Sequence, residues 1–146
     1  MNMSATSPYE PDRLADLVAR HPRLFRGKMP ERSHLAPGWL ALADTLCAEI
    51  EALVGPEMEL PLRVAQVKEK YGALRLYVHA TVPGTSADSL RDRAQALADA
   101  VRTRSEGLCE GCGVASSLQK LGPWWTTLCP ACQARKEAAA RARGLR

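Results

Sequence analysis

Residues 109–132 read CEGCGVASSLQKLGPWWTTLCPAC, which sets two Cys-x-x-Cys pairs, Cys109/Cys112 and Cys129/Cys132, 16 residues apart. Two thiolates separated by two residues in a tight turn can reach one ion, and two such pairs supply the four ligands that tetrahedral zinc(II) takes. The spacing lies within the range of structural zinc sites. Gly111 and Gly113 leave the first turn free to fold its amides toward the sulfurs. Two other readings rank below this one. Free cysteines can be small buried hydrophobes, but that gives no reason for two matched pairs. A redox dithiol normally opens a helix after a strand in a βαβ setting; neither pair stands in that pattern, and having two pairs argues further against it. Four thiolates close the coordination sphere, so the expected Zn2+ is a structural staple that has no open position for substrate.

Working outward, the 24 residues of the clip are too few to bury a core of their own, so metal binding doubles as folding energy. Leu118, Leu121, Trp124, Trp125 and Leu128 lie between the pairs. Either they dock the clip onto the rest of the chain or they are displayed, and because clustered tryptophans usually join a core, docking is the expectation.

The preceding hundred residues carry two periodicities. Leu14, Leu17, Val18 and His21 follow Asp12 at helical spacing, and Pro22 ends that helix. Residues 25–37 have no period and read as a loop anchored by Phe25 and Leu35. Trp39, Leu42, Ala43, Leu46, Ile50 and Leu53 form an apolar stripe closed by Gly55-Pro56, with Asp44, Glu49 and Glu51 elsewhere around the helix. Between 62 and 79 the period changes to two: Leu74, Leu76 and Val78 face one way, Arg75, Tyr77 and His79 the other, and KEKYGA is a hairpin turn resting on Gly72. Leu90, Ala94, Leu97, Ala98 and Val101 mark a further helix ending near Glu106. The predicted fold is α+β, with helices on a small antiparallel hairpin sheet followed by a zinc-ribbon-like module. The boundaries are 1–106 for the α+β domain, 107–135 for the docked zinc module and 136–146 for a basic, helical tail. Residues 1–8 read as a loose terminus.

Hydrophobic content of 46% allows a core, and no apolar run is long enough to span a bilayer. The start lacks a secretory pattern, so the expected location is a cytoplasm that keeps thiols reduced. The net charge of +4 is localised. Lys and Arg balance Asp and Glu at 15 each over residues 1–132, and the excess, 5 against 1, lies in 133–146.

No His-Glu-x-x-His, Gly-x-x-x-x-Gly-Lys, Gly-x-Ser-x-Gly or Gly-x-Gly-x-x-Gly occurs, and no histidine falls inside the clip. Cys47 beside His34 or His79 lacks a third, orienting group and reads as a buried inert thiol. The chain is therefore expected to be non-enzymatic. A zinc-stiffened Trp124/Trp125 pair suits a protein-interface anchor, and the leading function is recognition of another protein as an accessory, inhibitor or immunity-type factor. The alternative is nucleic-acid binding through Lys68, Lys70, Tyr71, Arg75 and Tyr77 of the hairpin together with the tail arginines.

GWLALADTLCAEI, QVKEKYGALRLY, CEGCG and GPWWTTLCPAC together resemble a group of small uncharacterised proteins of bacteriophage and bacterial genomes. The resemblance covers residues 38–132 and carries over Gly38, Trp39, the hairpin from Val67 to Tyr77, and Cys109, Cys112 and Cys129. Similar proteins often have histidine where Cys132 stands and a second glycine where Ala73 stands. The resemblance implies the architecture and a metal clip, and no activity.

Overall fold

The computed structural model describes residues 12–144; the loose terminus expected over 1–8 and the last two residues of the tail lie outside them. Helix α1 (Leu14–Arg20) passes through a break at His21 into the single turn α2 (Pro22–Phe25), where Pro22 takes the first helical position. The Asp12 carboxylate accepts from the amides of Leu14 (2.9 Å) and Leu35 (2.8 Å), so one oxygen ties the start of α1 to the loop that follows α2. A 3-10 turn (Pro37–Trp39) leads into α3 (Leu40–Glu51). Strands β1 (Leu62–Lys70) and β2 (Ala73–Ala80) pair antiparallel, and α4 (Thr85–Ser105) returns across β2.

A two-stranded sheet is marginal in water unless a face and its edges are covered. Here Leu62, Val64, Val67, Leu74, Leu76 and Val78 share one core with α1, α3 and α4. The register slips between Val64 and Gln66. That bulge turns the spacing from two to three, so that Val67 lands on the inner face again. Along the β2 edge, Gln95 of α4 accepts from Val78 N–H (3.0 Å) and donates to Leu76 C=O (3.0 Å), and Ser105 Oγ accepts from Leu74 N–H (2.8 Å). Along the β1 edge, Ser33 Oγ accepts from Val67 N–H (3.0 Å) and His34 N–H donates to Val67 C=O (2.9 Å). Side chains of a helix and a loop thus replace the missing neighbouring strands.

The hairpin turn departs from the expectation that only Gly72 takes positive φ. Both Tyr71 (φ 55°) and Gly72 (φ 78°) do so, the pattern of a two-residue turn matched to strand twist. Glu69 accepts from Gly72 N–H at 2.7 Å and holds the turn closed.

His21, read from the sequence as one more member of an apolar stripe, is buried with both ring nitrogens paired. Its Nε2 lies 2.6 Å from Asp44 Oδ1 and its Nδ1 2.9 Å from Glu51 Oε1. Asp44 and Glu51, seven residues apart on α3, are therefore clamps on α1 as well as part of its polar face. The hydrogen bond from His21 holds the Asp44 carboxyl below its usual 3.8, against the opposing effect of burial. A depressed carboxylate pKa contributes stability above the unfolded value and loses it as pH falls through the folded one. Asp44→Asn is accordingly expected to cost about 1 kcal/mol at neutral pH, given the partly exposed carboxylate. The difference from the parent should begin to shrink as pH falls toward 3.8 and vanish only once the folded carboxyl, whose pKa lies lower, has also protonated, as urea unfolding of both proteins at each pH would show.

Candidate metal centre

After α4 the chain forms the first cysteine turn. Cys109 N–H donates to Val114 C=O and Gly113 N–H to Cys109 C=O, each at 2.8 Å, and a single bridge joins Leu108 to Ala115. A short hairpin follows, β3 (Gln119–Leu121) and β4 (Trp124–Thr126), and then α5 (Pro130–Ala142). Because α5 starts within the second cysteine pair and runs on to Ala142, the basic tail is a continuation of the module's own helix.

All four sulfurs lie within 4.8 Å of one another, and Cys112 Sγ is 3.8 Å from Cys129 Sγ. A tetrahedron with Zn–S bonds of about 2.3 Å has S···S edges of about 3.8 Å. The four cysteines are therefore placed to hold one metal ion. N–H groups aim at the sulfurs: Gly111 and Cys129 donate to Cys109 Sγ at 3.3 and 3.2 Å, and Cys132 donates to Cys129 Sγ at 3.5 Å. Cys129 caps α5, and the Cys132 amide there draws its thiol down to about 7. Burial pushes the Cys132 thiol up instead, and the Arg135 guanidinium stands 2.8 Å from that sulfur, a cation suited to a centre that gathers four thiolates. Gly113 takes a positive φ of 84° as expected, whereas Gly111 is needed for room: a Cβ there would lie 2.8 Å from Cys132 Sγ.

Apart from its cysteines, the module buries little: Cys109, Leu128 and Cys132 form its small core. Hydrogen bonds supplement it, with Glu110 accepting from Thr127 N–H (3.2 Å) and its own N–H donating to Thr127 Oγ1 (3.1 Å). Docking on the body runs through backbone. Gly38 N–H donates to Glu110 C=O (2.9 Å), and the buried Trp39 donates its indole N–H to Leu108 C=O (3.1 Å). The tip of the β1–β2 hairpin is the second contact, since a Cβ on Gly72 would run into the Leu118 side chain and approach Thr126 N at 3.3 Å.

The expectation that the tryptophans dock the clip is overturned. Trp124 is 74% exposed and Trp125 41%, with Leu121 also exposed. The places they would have filled are taken by the Gly38 contact, by Leu118 against the hairpin tip and by the buried Leu128. Instead they line a cleft of about 1050 Å³ between the module and the body, together with Lys70 and Tyr71 of the hairpin tip, Lys120 of β3 and Lys136 of α5.

The other hairpin candidates do not join them. Lys68 and Tyr77 line a separate shallow depression with Arg32 and His79 on the outer sheet face. Arg75, opposite Lys68 across the ladder, is half-buried, and its Nε has no hydrogen-bond partner. Lys120 and Lys136 escaped the sequence reading because β3 and α5 join the hairpin tip only through the fold.

Cys47 is fully buried in the apolar core, and burial, reinforced by Glu51 and Asp44, pushes its thiol far up, so it is poorly nucleophilic. His34 and His79 are both exposed, away from that environment. Zinc-loaded native protein is expected to show no rapidly alkylated thiol, and chelation should release the four module thiols before Cys47 reacts. Mass spectrometry of timed iodoacetamide labelling checks this, and early modification of Cys47 would contradict it. No helix among the described residues is long and apolar enough to cross a membrane. Set against family models, curated proteins and solved structures, the chain matches none of them.

Proposed function

We propose that the protein is a non-enzymatic, zinc-stapled binding protein that holds a macromolecular partner against the cleft between its two parts. The observation that carries this reading is the exposure of Trp124 and Trp125 on a hairpin anchored at both ends by cysteines of the metal centre. Large aromatic side chains left in water on a rigid frame are what binding surfaces use as anchors. The four-thiolate set matches zinc in ligand type and edge length, and it leaves no coordination position for a reacting group. A protein partner of inhibitor or immunity type would use the tryptophans as such anchors. We also retain the resemblance to the phage and bacterial group as a proposal. Its support is that the Gly-Trp pair, the hairpin tip and the cysteine clip meet at one junction.

Trp124→Ser tests the reading, since an exposed ring contributes little to folding. The variant is expected to keep stoichiometric zinc and a thermal midpoint near the parent's, while losing whatever macromolecule the immobilised parent retains from source-cell extract. Equal retention by the Trp124→Ser/Trp125→Ser double variant would remove the cleft from the account.

A further inference from the structure

From the lysines of the cleft we infer the chemical class of its occupant: a single-stranded nucleic acid, with bases stacked on Tyr71 and Trp124/Trp125 and phosphates met by Lys70, Lys120 and Lys136. The inference rests on the binding-cleft reading above and adds the ligand. Among the described residues none of these three lysines is in an ion pair, and all three are exposed. Lys70 Nζ lies 5.5 Å from the centre of the Tyr71 ring and Lys120 Nζ 5.8 Å from that of Trp125, so cation and ring face are presented together.

Carboxylates also line the cleft, but they are engaged with the fold. Asp12 accepts from Leu14 and Leu35 N–H, Glu69 from Gly72 N–H, and Glu110 from Thr127 N–H and the Thr126 hydroxyl. The three carboxylates keep their charge, but their oxygens are turned to backbone amides and a threonine hydroxyl, whereas the ammonium groups of Lys70, Lys120 and Lys136 are exposed and outside any ion pair among the described residues. Protein–protein interface cores are enriched in Trp and Tyr and depleted in Lys. Exposed rings interleaved with unpaired lysines match instead the stacking platform and electrostatic groove that receive single strands, whose bases offer ring faces that a duplex hides. Ring faces and phosphates are common to DNA and RNA.

Fluorescein-labelled oligo-dT and oligo-U of about 12 nucleotides, titrated with zinc-loaded protein by anisotropy, test the inference and tell the two sources apart. Binding of either is expected, with quenched tryptophan emission and weaker binding of a duplex of the same length. With three phosphate contacts, affinity should fall about twentyfold between roughly 50 and 200 mM salt, and Lys70→Gln, Lys120→Gln or Lys136→Gln should each flatten that slope. Trp124→Ala should weaken binding at least about fivefold with zinc content unchanged. Absence of binding at low salt, indifference to Trp124→Ala, equal affinity for duplex, or equal quenching by polyglutamate would each overturn it. If no oligonucleotide binds but a nuclease-treated protein extract shields the indoles from acrylamide, the single-strand inference falls and the binding cleft stands. Shielding by neither removes both.

Discussion

Chelation of the metal is expected to unfold residues 107–142 while the core of α1, α3, α4 and the β1–β2 hairpin keeps its helical signal at reduced stability. The module's buried core is three residues, Cys109, Leu128 and Cys132, so little apolar besides Leu128 and the Leu118 contact remains to hold it once the sulfurs repel or oxidise. Structural zinc sites of four thiolates bind with an apparent 10–16 kcal/mol at neutral pH, so a zinc ion held by these cysteines would supply folding energy on that order. Competition against a chromophoric chelator should give a Kd at or below about 50 nM. Because four thiols must lose their protons to bind, affinity should weaken as pH falls. The body loses its Trp39 indole bond to Leu108 and the Gly38 bond to Glu110 when the turn disorders, which is why its own unfolding midpoint should drop as well. Circular dichroism and tryptophan emission before and after chelation read both effects. Unchanged emission and unreactive thiols after complete metal removal would show that the cysteines are not the module's support.

Gly38→Ala is expected to produce the second-largest loss, about 3 kcal/mol, the upper end of what overpacking costs. An added methyl would sit 2.6 Å from Gly113 N and 2.8 Å from Glu110 C, closer than Cβ atoms come to anything. Both contacts are backbone of the first cysteine turn, which the Cys109–Gly113 hydrogen bond closes and which a bound metal would brace further. A flexible side chain could swing aside, but this backbone cannot, so the module must separate from the body or α3 must shift. The midpoint should fall by about 10 °C for a chain of this size, and zinc affinity should weaken with it. Gly55→Ala is the matched control, since its Cβ would meet nothing nearer than Met58 at 4.0 Å. Similar midpoints for the two variants would show that the Gly38 contact does not couple the parts.

Much of this was legible in the chain. The stripe from Trp39 to Ile50, the alternation of Leu74, Leu76 and Val78, and the inner face of α4 all follow from periodicity, because burial acts on one face of a helix or strand at a time. The cysteine pairs were legible for a different reason: metal geometry restricts ligand spacing so tightly that four residue letters suffice. Phe25 and Leu35 do anchor in the core as expected, and what failed was the inference about which apolar groups dock the cysteine module. Trp124 and Trp125 were expected inside on the strength of their size, yet the docking surface is made of glycine backbone, Leu118 and Leu128. His21 was misread because its stripe position is identical whether its neighbours are leucines or the two carboxylates of α3.

The sequence by itself determined the element types, the hairpin and the clustering of the four cysteines, since each depends on residues close along the chain or on a pattern whose spacing tolerates few alternatives. Only the tertiary structure decided that the hairpin tip, β3, β4 and α5 converge on one cleft, and that Lys70 belongs to it while Lys68 does not. Those groupings depend on how the first cysteine turn seats on Gly38 and Trp39, a contact across some 70 positions of chain that no local pattern records.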